Sequence, residues 1–303
     1  MAQLTEIRWH GRGGQGAKTA ATLLAEAALH EDKYSQGFPE YGPERMGAPM
    51  CGYTRISDEI IRLHCAIYTP NIVVILDESL IDVVDVTAGL KESGVMIVNT
   101  ATDAETVRQK VGFSGSIATI NATQISIDEL GRPIPNTVMI GALLKVTGIL
   151  HIDTVIKDIE KKFSKKFPER VVQGNIKAIN RAYEEVVISE AGEVTATGTR
   201  AKVEQKKGWR EIPEGGLILD AGNAVTYKTG SWKTYKPIWS DEKCIQCFNC
   251  WIMCPDNAIL AEDGKVIGID LDLCKGCSIC AAVCPPKANA IEMVLDEKSD
   301  EGE

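Results

Sequence analysis

The chain has 303 residues, 44% of them hydrophobic and 25% charged, which is enough to bury a sizeable core and to form two domains of unequal size. No apolar run approaches the length of a membrane span, and nothing at the N-terminus resembles a secretory signal, so the sequence reads as that of a cytoplasmic protein in a reducing setting, with no membrane partner. The net charge of −9 is concentrated in residues 241–303, where 13 acidic residues stand against 5 basic ones; this argues against nucleic acid and for a redox partner with a basic face.

Leu4 to Trp9 alternates as a strand, His10 to Gly16 forms a loop, and the Ala- and Leu-rich stretch Ala17 to Leu29 is a helix. Gly11, Gly13 and Gly16 satisfy G-x-G-x-x-G, with Gly14 between them. Such glycines permit a tight turn and bring bare amides at a helix start close to an anion or a neighbouring backbone. A nicotinamide or flavin site also needs an acidic residue at the end of the second strand, about twenty residues on. Here that region, Tyr34 to Gly47, reads as loop, which weakens a dinucleotide site against a structural or subunit-docking turn. His10, at the mouth of the turn, is a further candidate. The Gly- and Pro-dense segment Phe38 to Pro49 carries Glu44 and Arg45, either as a surface ion pair or in contact with an anionic ligand or a partner chain.

Cys51–Ser57 and Ile60–Ile67 read as a hairpin turning at Asp58-Glu59, Asn71–Leu76 as a buried parallel strand, and Leu80–Lys91 as a helix. Val95–Asn99 and Ser116–Ile120 continue the strands, and Asp103–Lys110 and Ala122–Leu130 the helices. Further helices cover Thr137–Leu150, Asp153–Phe163 and Glu169–Val187. The expected fold is therefore an α/β domain with a mainly parallel sheet over residues 1–189. Cys51 and Cys65 are expected in its core, and His64 and His151 in structural roles. Residues 190–240 lack a sustained period and read as a linker and lashing arm, and residues 241–303 as a small α+β, ferredoxin-like domain.

Eight of the ten cysteines fall in two copies of one pattern, 30 residues apart: Cys244, Cys247, Cys250 and Cys254-Pro255, then Cys274, Cys277, Cys280 and Cys284-Pro285. A cube of four irons and four sulfides needs four thiolates; three spaced by two residues come from one loop, and in the bacterial two-cluster pattern the fourth comes from the other run. The ligand sets are then Cys244, Cys247, Cys250 and Cys284 for one [4Fe-4S] cluster, and Cys274, Cys277, Cys280 and Cys254 for the other. A zinc knuckle has no use for the added triplet and Cys-Pro, and a disulfide framework needs an oxidising compartment. Trp251 and Met253, within the first run, are expected to shield a cluster from water.

The order Gly11-Arg-Gly-Gly-Gln-Gly16, Gly42-Pro-Glu-Arg-Met-Gly-Ala-Pro49, Asp220 to Gly230, then the double cysteine run, resembles 2-oxoacid:ferredoxin oxidoreductase, its gamma subunit in the first 190 or so residues and its delta subunit in the remainder. The resemblance implies an electron-transfer subunit. Separate alpha and beta chains would hold thiamine diphosphate and magnesium, together with a further [4Fe-4S] cluster, and ferredoxin would accept the electrons. The Gly11–Gly16 turn and Arg45 would then cover the active site or dock partners. Met46 stands where gamma subunits often carry a second arginine, which speaks against coenzyme A binding at this loop. A single gamma-delta chain is similar to the arrangement in oxalate oxidoreductase, so pyruvate and oxalate both remain as substrates. The alternatives are a stand-alone iron-sulfur carrier and a flavin- or nicotinamide-linked reductase.

Overall fold

The computed structural model describes residues 4–40, 47–194, 210–217, 219, 221–223 and 227–296. The chain divides into two compact units. Among the described residues no helix is long and apolar enough to cross a membrane.

The first unit is built on strands β1 (Thr5–Arg12), β2 (Tyr34–Glu40), β3 (Pro49–Ser57), β4 (Ile72–Ile75), β5 (Val95–Asn99), β6 (Ser116–Ile120) and β7 (Val187–Ser189). They form one sheet in the order β2-β3-β1-β4-β5-β6-β7. The pairs from β1 through β6 in the middle are parallel, while β3 and β7 run antiparallel to their neighbours. Helices α1 (Ala17–Ala28), α2 (Ala104–Val111), α3 (Ala122–Leu130), α4 (Asn136–Thr147), α5 (Ile152–Phe163) and α6 (Glu169–Glu185) complete this unit. The continuous apolar runs of β4 and β5 are explained by burial on both faces. Val74 and Ile97 join Ile7, Trp9, Leu24 and Leu143 in the larger core, whereas Val73, Ile75, Met96 and Val98 join Val107 and Phe113 in the smaller.

Three local expectations fail for physical reasons. Tyr34–Glu40, read as loop, is strand β2; it lies at the sheet edge, where Pro39 with no N–H to donate is tolerated. Ile60–Ile67 forms no strand, because both edges of β3 are already taken by β1 and β2. Leu80–Lys91 is a short 3₁₀ turn at Glu78–Asp82 followed by bends, and Asp85 accepts from the Thr87 N–H (3.0 Å), which diverts the backbone from helix. The chain after Glu185 also leaves the helix and pairs along β6 as β7.

The second unit contains β8 (Tyr235–Trp239), α7 (Asn249–Met253), β9 (Ile259–Glu262), β10 (Lys265–Ile269), α8 (Ile279–Val283) and β11 (Ile291–Leu295). Two antiparallel ribbons, β8 with β11 and β9 with β10, enclose a small core of Cys250, Ile259, Val266, Cys280 and Ile291. Strand β8 lies within the stretch read as linker and arm.

Candidate metal centres and glycine turn

The two cysteine runs adopt the same backbone. Gln246 and Gly276 (φ 55° and 69°) and Phe248 and Ser278 (φ 61° and 62°) are left-handed, which curls each loop before its short helix. Gln246 is held there by Val266, whose N–H donates to Oε1 at 2.7 Å while Nε2 donates to its carbonyl at 3.3 Å. Cys254 and Cys284 then leave α7 and α8 in extended conformation, ψ 117° and 124°, as residues preceding proline prefer.

That exit carries each fourth cysteine away from its own loop. Cys244, Cys247 and Cys250 line one cavity together with Cys284, and Cys274, Cys277 and Cys280 line a second together with Cys254. The fourth sulfurs are held alike: the Ala290 N–H donates to Cys284 Sγ and the Ala258 N–H to Cys254 Sγ, each at 3.3 Å. Trp239, Phe248, Val266 and Ile291 wall the first cavity, and Pro237, Ile259, Ile269 and Ile279 the second.

Burial pushes the Cys280 thiol up to about 11 and raises those of Cys250 and Cys274 as well, so bare thiolates are disfavoured in these sites and a cationic centre would hold them ionised. Among the described residues no group of three or more His, Cys, Asp or Glu meets closely enough to hold a single ion; the thiols surround a space instead. One buried polar atom, Trp239 Nε1, has no partner among the described residues. Soft donors in fours, apolar walls and an orphaned N–H fit a sulfide-bearing cluster.

Trp251 and Met253 do not shield either cavity. They are 45% and 54% exposed, because the short α7 turns Cys250 inward and these side chains outward. Shielding falls instead to Phe248 and Ile279 inside the runs and to residues outside them, among them Trp239. Its signal in the sequence was the 30-residue repeat, which sets it against Ile269.

In the first unit, β1 ends at Arg12 and the glycine turn leads into α1. Gly14 and Gly16 have φ of 100° and 84°, and a Cβ on Gly16 would stand 2.4 Å from Asn136 Nδ2. Gly11 and Gly13 lie at the strand end and in the turn. The turn is tied to the residue following β4: Asp77 Oδ2 accepts from Gln15 Nε2 (2.6 Å) and Arg12 Nε (3.2 Å), while Gln15 Oε1 accepts from the Arg12 N–H (2.8 Å). This meeting of β1 and β4 is the switch point at which the chain, having filled one side of the sheet, begins the other.

Strand β2 does end in an acidic residue, Glu40, but β3 separates it from β1 and Tyr53 Oη donates to its carboxylate. Glu40 therefore does not stand beside the glycine turn, and the carboxylate that does, Asp77 beyond β4, is already bonded to Arg12, Gln15 and Ser79. His10 is buried and uncharged, its Nε2 accepting from Arg8 Nε (3.0 Å) with Nδ1 facing Cys51 Sγ (3.6 Å); burial lowers it to about 3. Cys51 is half-buried and Cys65 exposed, so neither is the core cysteine expected. His64 and His151 are exposed and ligate nothing among the described residues. Glu44, Arg45 and Met46 lie outside the described residues.

Comparison with known proteins matches the two parts of the chain separately. The sequence profile of pyruvate ferredoxin/flavodoxin oxidoreductase matches residues 6–185, and that of a 4Fe-4S dicluster domain matches residues 238–293. Pyruvate synthase subunit PorC of Thermotoga maritima is 53% identical over 185 residues, 61% of this chain and 96% of that protein. The common gamma subunit of the pyruvate/ketoisovalerate oxidoreductases of Thermococcus litoralis is 49% identical over 188 residues, 62% of this chain and 100% of that protein. The crystal structure of pyruvate oxidoreductase subunit PORC from Thermotoga maritima superposes with a TM-score of 0.57 at 49% identity, covering 62% of this chain and 99% of the other.

Proposed function

The chain belongs to the pyruvate ferredoxin/flavodoxin oxidoreductase family, and on that premise we propose that it is a fused gamma-delta subunit that conducts electrons out of a thiamine-diphosphate-dependent 2-oxoacid:ferredoxin oxidoreductase. The observation that carries this reading is the pair of thiol sets, each drawn from both cysteine runs. Cys244, Cys247, Cys250 and Cys284 hold one [4Fe-4S] cluster, and Cys274, Cys277, Cys280 and Cys254 the other. Bound there, the clusters supply one-electron storage and relay. The protein's own part is to hold eight thiols in position, to exclude water with Trp239, Phe248, Ile259 and Ile269, and to tie the two cysteine runs together by exchanging Cys254 and Cys284.

Catalysis needs other chains. Thiamine diphosphate and magnesium belong on alpha and beta partners, with a further cluster. Ferredoxin is the acceptor, and the assembly is cytoplasmic. The gamma-type part spans residues 1–189, and the cluster domain spans 241–303 together with β8, which pairs with β11. The Gly11–Gly16 turn, with Gly13 and Gly14 at its tip, and the Arg45 loop serve docking or cover the partner's active site. Exposed Trp251, Ile252 and Met253 on α7 support burial of that face against another subunit. The relatives support pyruvate as the substrate, whereas the fusion into one chain is the feature that favours oxalate.

Affinity purification of this chain from cells expressing the whole gene set tests the proposal. Two further chains carrying thiamine diphosphate should co-purify and reduce ferredoxin with a 2-oxoacid. Recovery of the chain alone, with bound flavin and reductase activity, would replace this reading with the reductase.

A further inference from the structure

We propose that Trp239 donates its indole N–H to a sulfur of the cluster held by Cys244, Cys247, Cys250 and Cys284, and that this bond makes the two redox centres unequal. The inference rests on the ligand sets proposed above. Trp239 lines the first cavity, and its Nε1 is the one buried side-chain nitrogen or oxygen among the described residues that has no hydrogen-bond partner. Leaving such a donor unsatisfied is costly, and buried polar groups in folded proteins are almost always paired. The walls around it are apolar apart from the thiols, so the acceptor is the group that the thiols hold.

The repeat supplies an internal comparison. Trp239 closes β8 opposite Ile291, and Ile269, 30 residues later, closes β10 opposite Ile259; each pair lines its own cavity. At corresponding places one centre therefore has an N–H donor and the other a methyl-bearing side chain with none. Reduction adds negative charge to the cluster sulfurs, so a hydrogen bond to them strengthens in the reduced state and raises the potential. A bond whose strength changes on reduction by about the worth of one hydrogen bond shifts the one-electron reduction equilibrium roughly tenfold, about 59 mV. Trp239 thus sets the Cys244-Cys247-Cys250-Cys284 centre higher than an isoleucine there would, by hydrogen bonding rather than by ligation.

The test is Trp239→Phe in the full-length chain, which keeps an aromatic ring in the wall and removes the N–H. Iron and sulfide analysis establishes that both clusters are present, and an EPR-monitored redox titration reads both midpoints. One midpoint should fall by about tenfold in its reduction equilibrium, about 59 mV, and the other should stay. The centre that moves should be the one altered by Cys284→Ser and not the one altered by Cys254→Ser. If Trp239→Phe loses a cluster, the wild-type chain carrying indole-¹⁵N tryptophan decides, since a ¹⁵N hyperfine coupling should appear at one reduced centre. Unmoved midpoints, or no ¹⁵N coupling, overturn the role of Trp239 while leaving two clusters in place. A wild-type chain with only one cluster would instead overturn the ligand sets from which the inference starts.

Discussion

Replacing Asp77 with alanine removes the carboxylate to which the glycine turn is tied. Its Oδ2 accepts from Gln15 Nε2 and Arg12 Nε at 2.6 and 3.2 Å, and its Oδ1 accepts from the Ser79 N–H and Oγ at 3.0 and 2.5 Å. The Arg12 side chain is only 1% exposed, so its guanidinium would lose a counter-charge inside the protein, and breaking a buried pair from one side costs about 3–5 kcal/mol. Ser79 Oγ still accepts from Arg12 at 2.7 Å, and Asp77 is itself 13% exposed, which lets water into the gap; the lower end, about 3 kcal/mol, is expected. Against a domain stability of about 5–15 kcal/mol the first unit stays folded but gives way earlier, by about 1 M urea for a slope of about 3 kcal/mol per molar. Far-UV circular dichroism follows the unfolding, while visible absorbance reports the clusters separately. Asp77→Asn should recover part of the loss, because an amide oxygen can still accept. A midpoint unchanged in Asp77→Ala would refute the claim that this carboxylate holds the turn.

Cys254→Ser should perturb the cluster of Cys274, Cys277 and Cys280, and Cys284→Ser that of Cys244, Cys247 and Cys250, as read by EPR and iron content; damage confined to each residue's own run would reverse the assignment. Gly14→Val forces a branched side chain onto φ 100°, a strain of about 1–3 kcal/mol, and should weaken co-purification of partner chains while both clusters remain. His10 is depressed to about 3, so the unfolded state binds the extra proton between that value and about 6.5. Stability of the first unit should therefore fall with falling pH across that window, by up to about 1.4 kcal/mol per pH unit, and His10→Gln should flatten the slope in pH-dependent urea titrations. Iron chelation should unfold the second unit, whose core has five buried residues, and leave the circular dichroism of the first unit in place.

The parallel core of the sheet was legible because β4 and β5 are short runs rich in Val and Ile, buried on both faces and too short for helices. The edges were not. Strand β2 contains Gly37 and Pro39, which local propensity assigns to loop and which only an edge position permits. Ile60–Ile67 alternates like a strand, but its expected hairpin partner β3 is already paired on both sides, a constraint that exists only once the sheet order is known. The grouping of Cys284 with the first triplet and Cys254 with the second round two cavities agrees with the bacterial two-cluster pattern, since each run has its own fourth cysteine and spacing alone does not say which triplet it joins. The walls of their cavities come from β8, β9, β10 and β11, whose contribution depends on tertiary pairing; the exposure of Trp251 and Met253 likewise follows from the short α7 having room for one inward face. Asp77, tied to Arg12 across 65 residues, left no local mark.

The central claim is that electrons released from a 2-oxoacid on partner chains reach the clusters held by the eight cysteines of this chain. It is tested most directly by adding pyruvate, without ferredoxin, to the anaerobic purified complex and recording the EPR spectrum. Reduced-cluster signals that change with Cys254→Ser and Cys284→Ser are predicted, with no signal from the isolated chain under the same conditions. Decarboxylation and ferredoxin reduction by the complex while these clusters stay oxidised throughout, or reduction of the isolated chain by pyruvate alone, would contradict it.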